Sequence, residues 1–416
     1  MDMKREGRCE TLETGSGLLG FPALRPIHYL QKETLMNANS WLYRMITMGL
    51  GTVMMSFAWP IRGQFGHEWG ALITGAMAAA IVTTLIPVKS YRQVFTKAVF
   101  FGALGFVIGG ENIPYGQLIN RILAMPDLKN AMPELLTVLF IGASWGMIGA
   151  GYLGFGMSER PVSKKDYCVI LAAGAAVLVF TDVFSSNACI IAAFTALICF
   201  LYFYNAARVR SRMVPLLGVY GLVGFGAGFL ISVIILYYGT NGHLGGPSGW
   251  WTLRDQIWGG LGGFALMFAA WRARDYKLLP AGSLHSKLEK AGFIFFVPFI
   301  CGWNTYDVYE KWFTSSPPAP GLALAGTLIA AGVMLLLAWT VYYLRLPNSR
   351  LVSPAENPVI LGSIAFFTLY LMVLAIAKTV VYSGWARWET GFTLFLFVTA
   401  LILLVLPFIL LAPQEE

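Results

Sequence analysis

The sequence predicts an all-α polytopic membrane protein of about twelve transmembrane helices, arranged as two parallel pseudo-symmetric six-helix bundles. Three observations carry this reading. Only 12 % of the 416 residues are charged and 57 % are hydrophobic. Apolar runs long enough to span a bilayer recur along the whole chain, and cations concentrate in alternate connections. A soluble domain carries about 25 % charged residues, so this chain lacks the polar surface that water demands. A run of about 20 apolar residues crosses a bilayer as a helix. Lipid offers the backbone no hydrogen-bond partner, and continuous rather than alternating apolar runs select helices over barrel strands.

The predicted spans run roughly 41–60, 69–88, 97–110, 135–156, 166–184, 188–206, 214–239, 257–271, 290–312, 320–345, 358–382 and 390–412. They divide the chain into a cytoplasmic N-terminal tail (1–40), a first half (41–213), a second half (214–412) and a cytoplasmic C-terminus (413–416). Even-numbered connections and the tail hold most cations, among them Lys89, Arg92, Arg160, Lys164, Lys165, Arg208, Arg210, Arg212, Arg272, Arg274 and Lys277. Odd-numbered ones hold chiefly Arg62, Arg121, Lys129, Arg254 and Arg387. By the positive-inside rule both termini are cytoplasmic, and an odd helix count would scramble the alternation. The tail is polar and broken by Pro22 and Pro26, with no cleavable signal. With no targeting segment in view, the expected location is a bacterial inner membrane. Between the third and fourth spans, Leu118, Ile119, Ile122 and Leu123 have the spacing of a short interfacial helix.

Composition also excludes functions. The net charge of +8 is spread over short loops, which argues against a nucleic-acid groove. Cys9, Cys168, Cys189, Cys199 and Cys301 lack metal-ligand spacing and read as small apolar residues. No Walker A run is present, and no cofactor is implied.

Self-comparison reveals a repeat. Trp59-Pro-Ile-Arg62-Gly-Gln64-Phe and Trp251-Thr-Leu-Arg254-Asp-Gln256-Ile share the pattern W-x-[IL]-R-x-Q-[FI], 192 residues apart. At the same offset Gly110-Glu-Asn112 matches Gly302-Trp-Asn304. Six predicted helices separate the copies, so the halves share one orientation. Arg62, Gln64 and Asn112 are expected to meet at the outer face in the first half, and Arg254, Gln256 and Asn304 in the second. In topology and symmetry this resembles the major facilitator superfamily, whose substrate binds between two parallel halves. That resemblance implies a secondary transporter. It rests on no shared motif: the segment after the second span reads Val88-Lys-Ser-Tyr-Arg-Gln-Val, and no site residue is carried over.

The candidate binding residues are Arg62, Gln64, Asn112, Arg254, Gln256, Asn304, Trp251 and Trp303. Two guanidinium forks could hold a carboxylate, phosphate or sulfate, or each could pair with a carboxylate such as Glu68, Glu111, Asp255 or Asp307. Asp182 and Lys378, in the fifth and eleventh spans, are intramembrane charges that could couple or gate, or could snorkel to the interface. His67 and Glu68 are further coupling or gating candidates. They lack the second histidine of a zincin helix. Trp59, Trp69, Trp250, Trp251, Trp258, Trp303, Trp312, Trp385 and Trp388 fall toward the outer side, as a belt or a vestibule lining. Glycine runs at Gly49-Leu-Gly51, Gly142-x3-Gly146 and Gly224-x-Gly226-x-Gly228 predict close helix contacts.

The leading expectation is a transporter-like protein that moves or binds a polar or anionic solute, sugar-bearing ones included, in an outward-facing site between the halves. One alternative is an outer-face enzyme acting on a lipid-linked or cell-envelope precursor, with His67, Glu68 and Glu111 as acid/base groups. Another is a non-catalytic membrane subunit.

Overall fold

The computed structural model describes residues 41–64, 70–110, 115–184, 186–241 and 250–279. The last four predicted spans and both chain ends lie outside these residues. The described chain is all-helical: α1 (Trp41–Gln64), α2 (Gly70–Leu85), α3 (Lys89–Gln93), α4 (Phe95–Gly110), α5 (Tyr115–Leu123), α6 (Met132–Gly156), α7 (Lys164–Val183), α8 (Asn187–Tyr204), α9 (Met213–Thr240) and α10 (Trp250–Arg272). A helix overlaps each of the first eight predicted spans. Four of them, α6 to α9, are long and apolar enough to cross a membrane, and α4 with α5 makes a fifth if the bent pair counts as one span. This is the make-up of a helical membrane protein.

Local sequence explains the boundaries. Pro133 stands at the start of α6, where its missing N–H costs nothing. Ser163 caps α7 in a reciprocal box with Asp166, and Ser186 accepts from the Cys189 amide to start α8. A π turn over Asn205–Val209 ends α8, and Arg210 leaves it in the left-handed region at φ 60°. The Asn205 side chain pins this corner, donating to the Ser211 carbonyl and accepting from its amide. The Glu159 carboxylate accepts from the Ser211 hydroxyl and the Arg212 and Met213 amides, satisfying the exposed donors at the start of α9.

Six helices close into a ring. In order around it, α1 packs on α2, α2 on α4, α4 on α6, α6 on α9, α9 on α10, and α10 returns to α1. Helices from both sides of residue 213 therefore share one ring. Glycine lets the backbones approach. A Cβ on Gly146 would lie 2.2 Å from the Gly221 carbonyl oxygen, and one on Gly221 would lie 2.4 Å from that of Gly146. Gly142, Gly224 and Gly228 make similar contacts along α9, whereas Gly49 faces open space. The amphipathic α5 lays Leu118, Ile119 and Ile122 against α6 and α9, as their spacing predicts, and leaves Gln117, Asn120 and Arg121 outward.

α7 and α8 stand outside the ring, packed on each other and on α4 and α6. Only 28 % of the apolar window in each is buried, against 67 % in α6. Lipid is as apolar as leucine, so hydropathy alone does not separate an outer helix from a core one.

The ring's helices run up and down, which sorts the charges to its ends. Arg44, Lys89, Arg92 and Lys97 share one end with the segments 157–165, 208–213 and 272–279. Some buried donors at this end and at mid-height reach carbonyls, whereas Arg44 Nε and Ser90 Oγ are buried without a hydrogen-bond partner among the described residues. The Tyr91 hydroxyl, whose ionisation burial suppresses, donates to Ala270, Lys97 donates to Leu279, and Tyr152 donates to Ile170.

Candidate functional site

The opposite end of the ring holds the two repeated arginines. α1 is free of charge from Met45 through Trp59 and continues as helix into the first motif, so Arg62 sits in its last turn. A cation is favoured there by the helix dipole. The second motif follows a Gly-rich stretch, Asn241-Gly-His-Leu-Gly-Gly-Pro-Ser-Gly249, and so opens α10 instead. The motifs thus occupy unlike helix ends. Because α1 and α10 pack antiparallel, with Gly259 against Trp59 and Met55 and Gly263 against Met55 and Gly51, the two ends meet. Rather than forming one cluster in each half, Arg62 and Arg254 converge on a single carboxylate.

That carboxylate is Asp255. Its Oδ1 accepts from Arg254 Nε at 3.1 Å and from Arg254 Nη2, and lies 3.8 Å from Arg62 Nη2. All three residues are buried: Arg62 is 0 %, Arg254 2 % and Asp255 7 % exposed. Among the described residues, two guanidinium groups therefore share one negative charge.

Four aromatic rings from four helices surround the Arg62 guanidinium. Its Cζ lies 5.6 Å from the Trp59 ring (α1), 5.3 Å from Tyr115 (α5), 5.0 Å from Trp145 (α6) and 5.4 Å from Trp258 (α10). These rings also pack on one another. Trp59 is 5.0 Å from Trp258 and 5.5 Å from Trp145, and Phe229 stacks on Trp258 at 3.8 Å. Arg254 lies over Trp251 at 4.8 Å and near Tyr115 at 5.9 Å. A desolvated cation–π contact contributes up to about 2 kcal/mol. Burying an ion costs several kcal/mol, so the cage offsets part of that cost, and of its four rings only Tyr115 carries an oxygen that can accept.

The hydrogen-bond inventory is one-sided. Trp145 Nε1 is satisfied by the Phe106 carbonyl at 2.7 Å. Among the described residues, Arg62 Nε, Nη1 and Nη2, Arg254 Nη1, Trp59 Nε1 and Trp258 Nε1 are buried without a hydrogen-bond partner. Tyr115 lies against Arg62, its ring centroid 5.3 Å from Cζ and its hydroxyl close enough to interact with the guanidinium. All six unsatisfied atoms are donors. Such a set suits a ligand rich in acceptors, because an unmatched buried donor costs about 1–3 kcal/mol.

The other sequence candidates fall as follows. Gln256, half-buried, follows Asp255 in α10, Trp251 is partly exposed, and Gln64 is the last residue of α1. Trp59 and Trp258 are core residues and do not line an opening. Asp182 is exposed on the peripheral α7 and makes no ion pair with a described residue. Asn112, Asn304, Trp303, Lys378, His67 and Glu68 lie outside the described residues. Sequence reading missed Tyr115 and Trp145 as partners of Arg62. No known family, curated protein or solved structure matches the chain.

Proposed function

We propose that this protein is a transporter-like membrane protein that binds, and carries, a small polar or anionic solute at the Arg62–Asp255–Arg254 cluster. The observation that carries the proposal is a set of six buried donors without a hydrogen-bond partner among the described residues, four of them on two guanidinium groups that share one carboxylate. A fold kept only for scaffolding gains little from a caged arginine whose nearest described carboxylate stands 3.8 Å away. A binding site does, since its donors are satisfied when the ligand arrives.

The wider reading is a chain of about twelve spans, six plus six, with both termini cytoplasmic in a bacterial inner membrane. Its support is the overlap of eight helices with the first eight predicted spans, and the gathering of cations at the ring end opposite Arg62. The likeness to the major facilitator superfamily stays at the level of helix number and repeat. The described helices of both halves form one ring, so the proposed site is that ring's arginine-bearing end.

The test is thermal unfolding of the purified protein in detergent at constant ionic strength, titrated with acetate, nitrate, sulfate and neutral sugars, followed by uptake into proteoliposomes. Saturable stabilisation by an anion is expected, reaching about 2.7 kcal/mol at a hundredfold excess over Kd. No response to any anion would overturn the reading. It would favour instead a membrane subunit, for which the densely stacked aromatic interior is the supporting observation.

A further inference from the structure

We infer that the site selects a planar monovalent oxyanion, a monocarboxylate or nitrate-like ion, and that Asp255 sets this charge preference. The inference rests on the anion-binding reading above. Two guanidinium groups and one carboxylate leave the described cluster one positive charge in excess. Buried charge is tolerated when it is matched, and a single negative charge completes the match. A dianion would leave the cluster negative.

Geometry narrows the shape of the ligand. Asp255 engages the Nε and Nη2 edge of Arg254 and leaves Arg254 Nη1 unused. Among the described residues, the three Arg62 nitrogens have no hydrogen-bond partner and the nearest carboxylate oxygen is 3.8 Å away. A free guanidinium edge presents two parallel N–H groups, the pattern that a flat oxyanion accepts in a bidentate pair. A spherical halide accepts them less well. The aromatic rings flank Arg62 with electron-rich faces that attract its cation and repel an anion. The anion is therefore confined to the guanidinium edge, and close ring packing disfavours a bulky body beside it.

The experiment uses the full chain in detergent, with unfolding temperature read against acetate, nitrate and sulfate at fixed ionic strength. Wild type should prefer acetate or nitrate over sulfate by about tenfold in apparent Kd. Asp255→Asn raises the cluster to two excess positive charges and should reverse the preference toward sulfate. Should that variant fail to fold, Arg254→Gln and Arg254→Lys carry the test. The first removes the excess charge and should lose the acetate response, and the second keeps the charge and should retain it.

An unchanged preference in Asp255→Asn overturns the inference, as does full acetate binding by Arg254→Gln. A wild type that ignores all anions while Glu68→Gln/Glu111→Gln responds to acetate would overturn it too, because the chain's own carboxylate would then be the occupant. Silence of every variant toward every anion marks the failure of the underlying binding reading instead.

Discussion

Replacing Gly146 with leucine should prevent the ring from closing. At this position α6 and α9 touch backbone to backbone. The first added carbon would lie 2.2 Å from the Gly221 carbonyl oxygen and 2.7 Å from Phe225 Cβ. The nearer obstacle is main chain, which cannot swing aside as a flexible side chain can. Overpacking a well-filled core costs about 1–3 kcal/mol when side chains can adjust. Here the helices must separate, losing the contacts of Gly142, Gly221 and Phe225 together, so the loss should exceed that range. Gly49→Leu is the matched control: it lies in α1 and nothing is within 4 Å of its Cβ position. Size-exclusion profiles and unfolding temperatures in detergent should show Gly146→Leu aggregated or strongly destabilised and Gly49→Leu unchanged. Similar behaviour of the two would show that the α6–α9 contact does not organise the fold.

Asp255→Ala should be the most damaging change among the charged residues. It removes the one carboxylate that two buried arginines share, and breaking a buried ion pair from one side costs about 3–5 kcal/mol. The neighbouring cage cannot compensate, since its rings contribute cation–π attraction to each arginine but nothing against their mutual repulsion. Added salt should restore part of the stability, and oxyanions more than chloride at equal ionic strength. Unfolding midpoints across a salt series check this. A variant as stable as wild type in low salt would mean that Asp255 is not the counter-charge.

Much of this architecture is legible in the sequence, for identifiable reasons. Apolar runs mark the helices that overlap the first eight predicted spans, four of which are long and apolar enough to cross a membrane. The spacing of Leu118, Ile119 and Ile122 reveals α5, and the glycine runs foretell the close contacts of α6 with α9 and of α9 with α10. The repeat points to Arg62 and Arg254, and Asp255 is one of four carboxylates within reach of the argument. What does not show is how the copies meet. That depends on the first motif ending a helix and the second opening one, and on ring closure between residues nearly two hundred positions apart. Tyr115 reaches Arg62 because α5 turns 53° from the axis of α4, and no local pattern encodes that angle. The surroundings of Asp182 are hidden from the sequence for a different reason. Apolar flanks look alike whether a helix faces lipid or protein, so its place on the outer α7 is hidden from hydropathy.

The proposed site requires that Arg62 stay buried with donors open to a ligand, at some expense of stability. Arg62→Met measures it. Methionine fills the cage with an apolar chain of similar length and leaves Arg254 and Asp255 as a neutral pair. A buried ion replaced by a well-packed apolar residue is often neutral or stabilising by about 1–4 kcal/mol. The account predicts that, without added anion, Arg62→Met unfolds at or above the wild-type temperature, and that it no longer responds to acetate or nitrate. A variant that is several kcal/mol less stable than wild type, yet keeps the wild-type anion response, would show that Arg62 braces the fold and binds nothing.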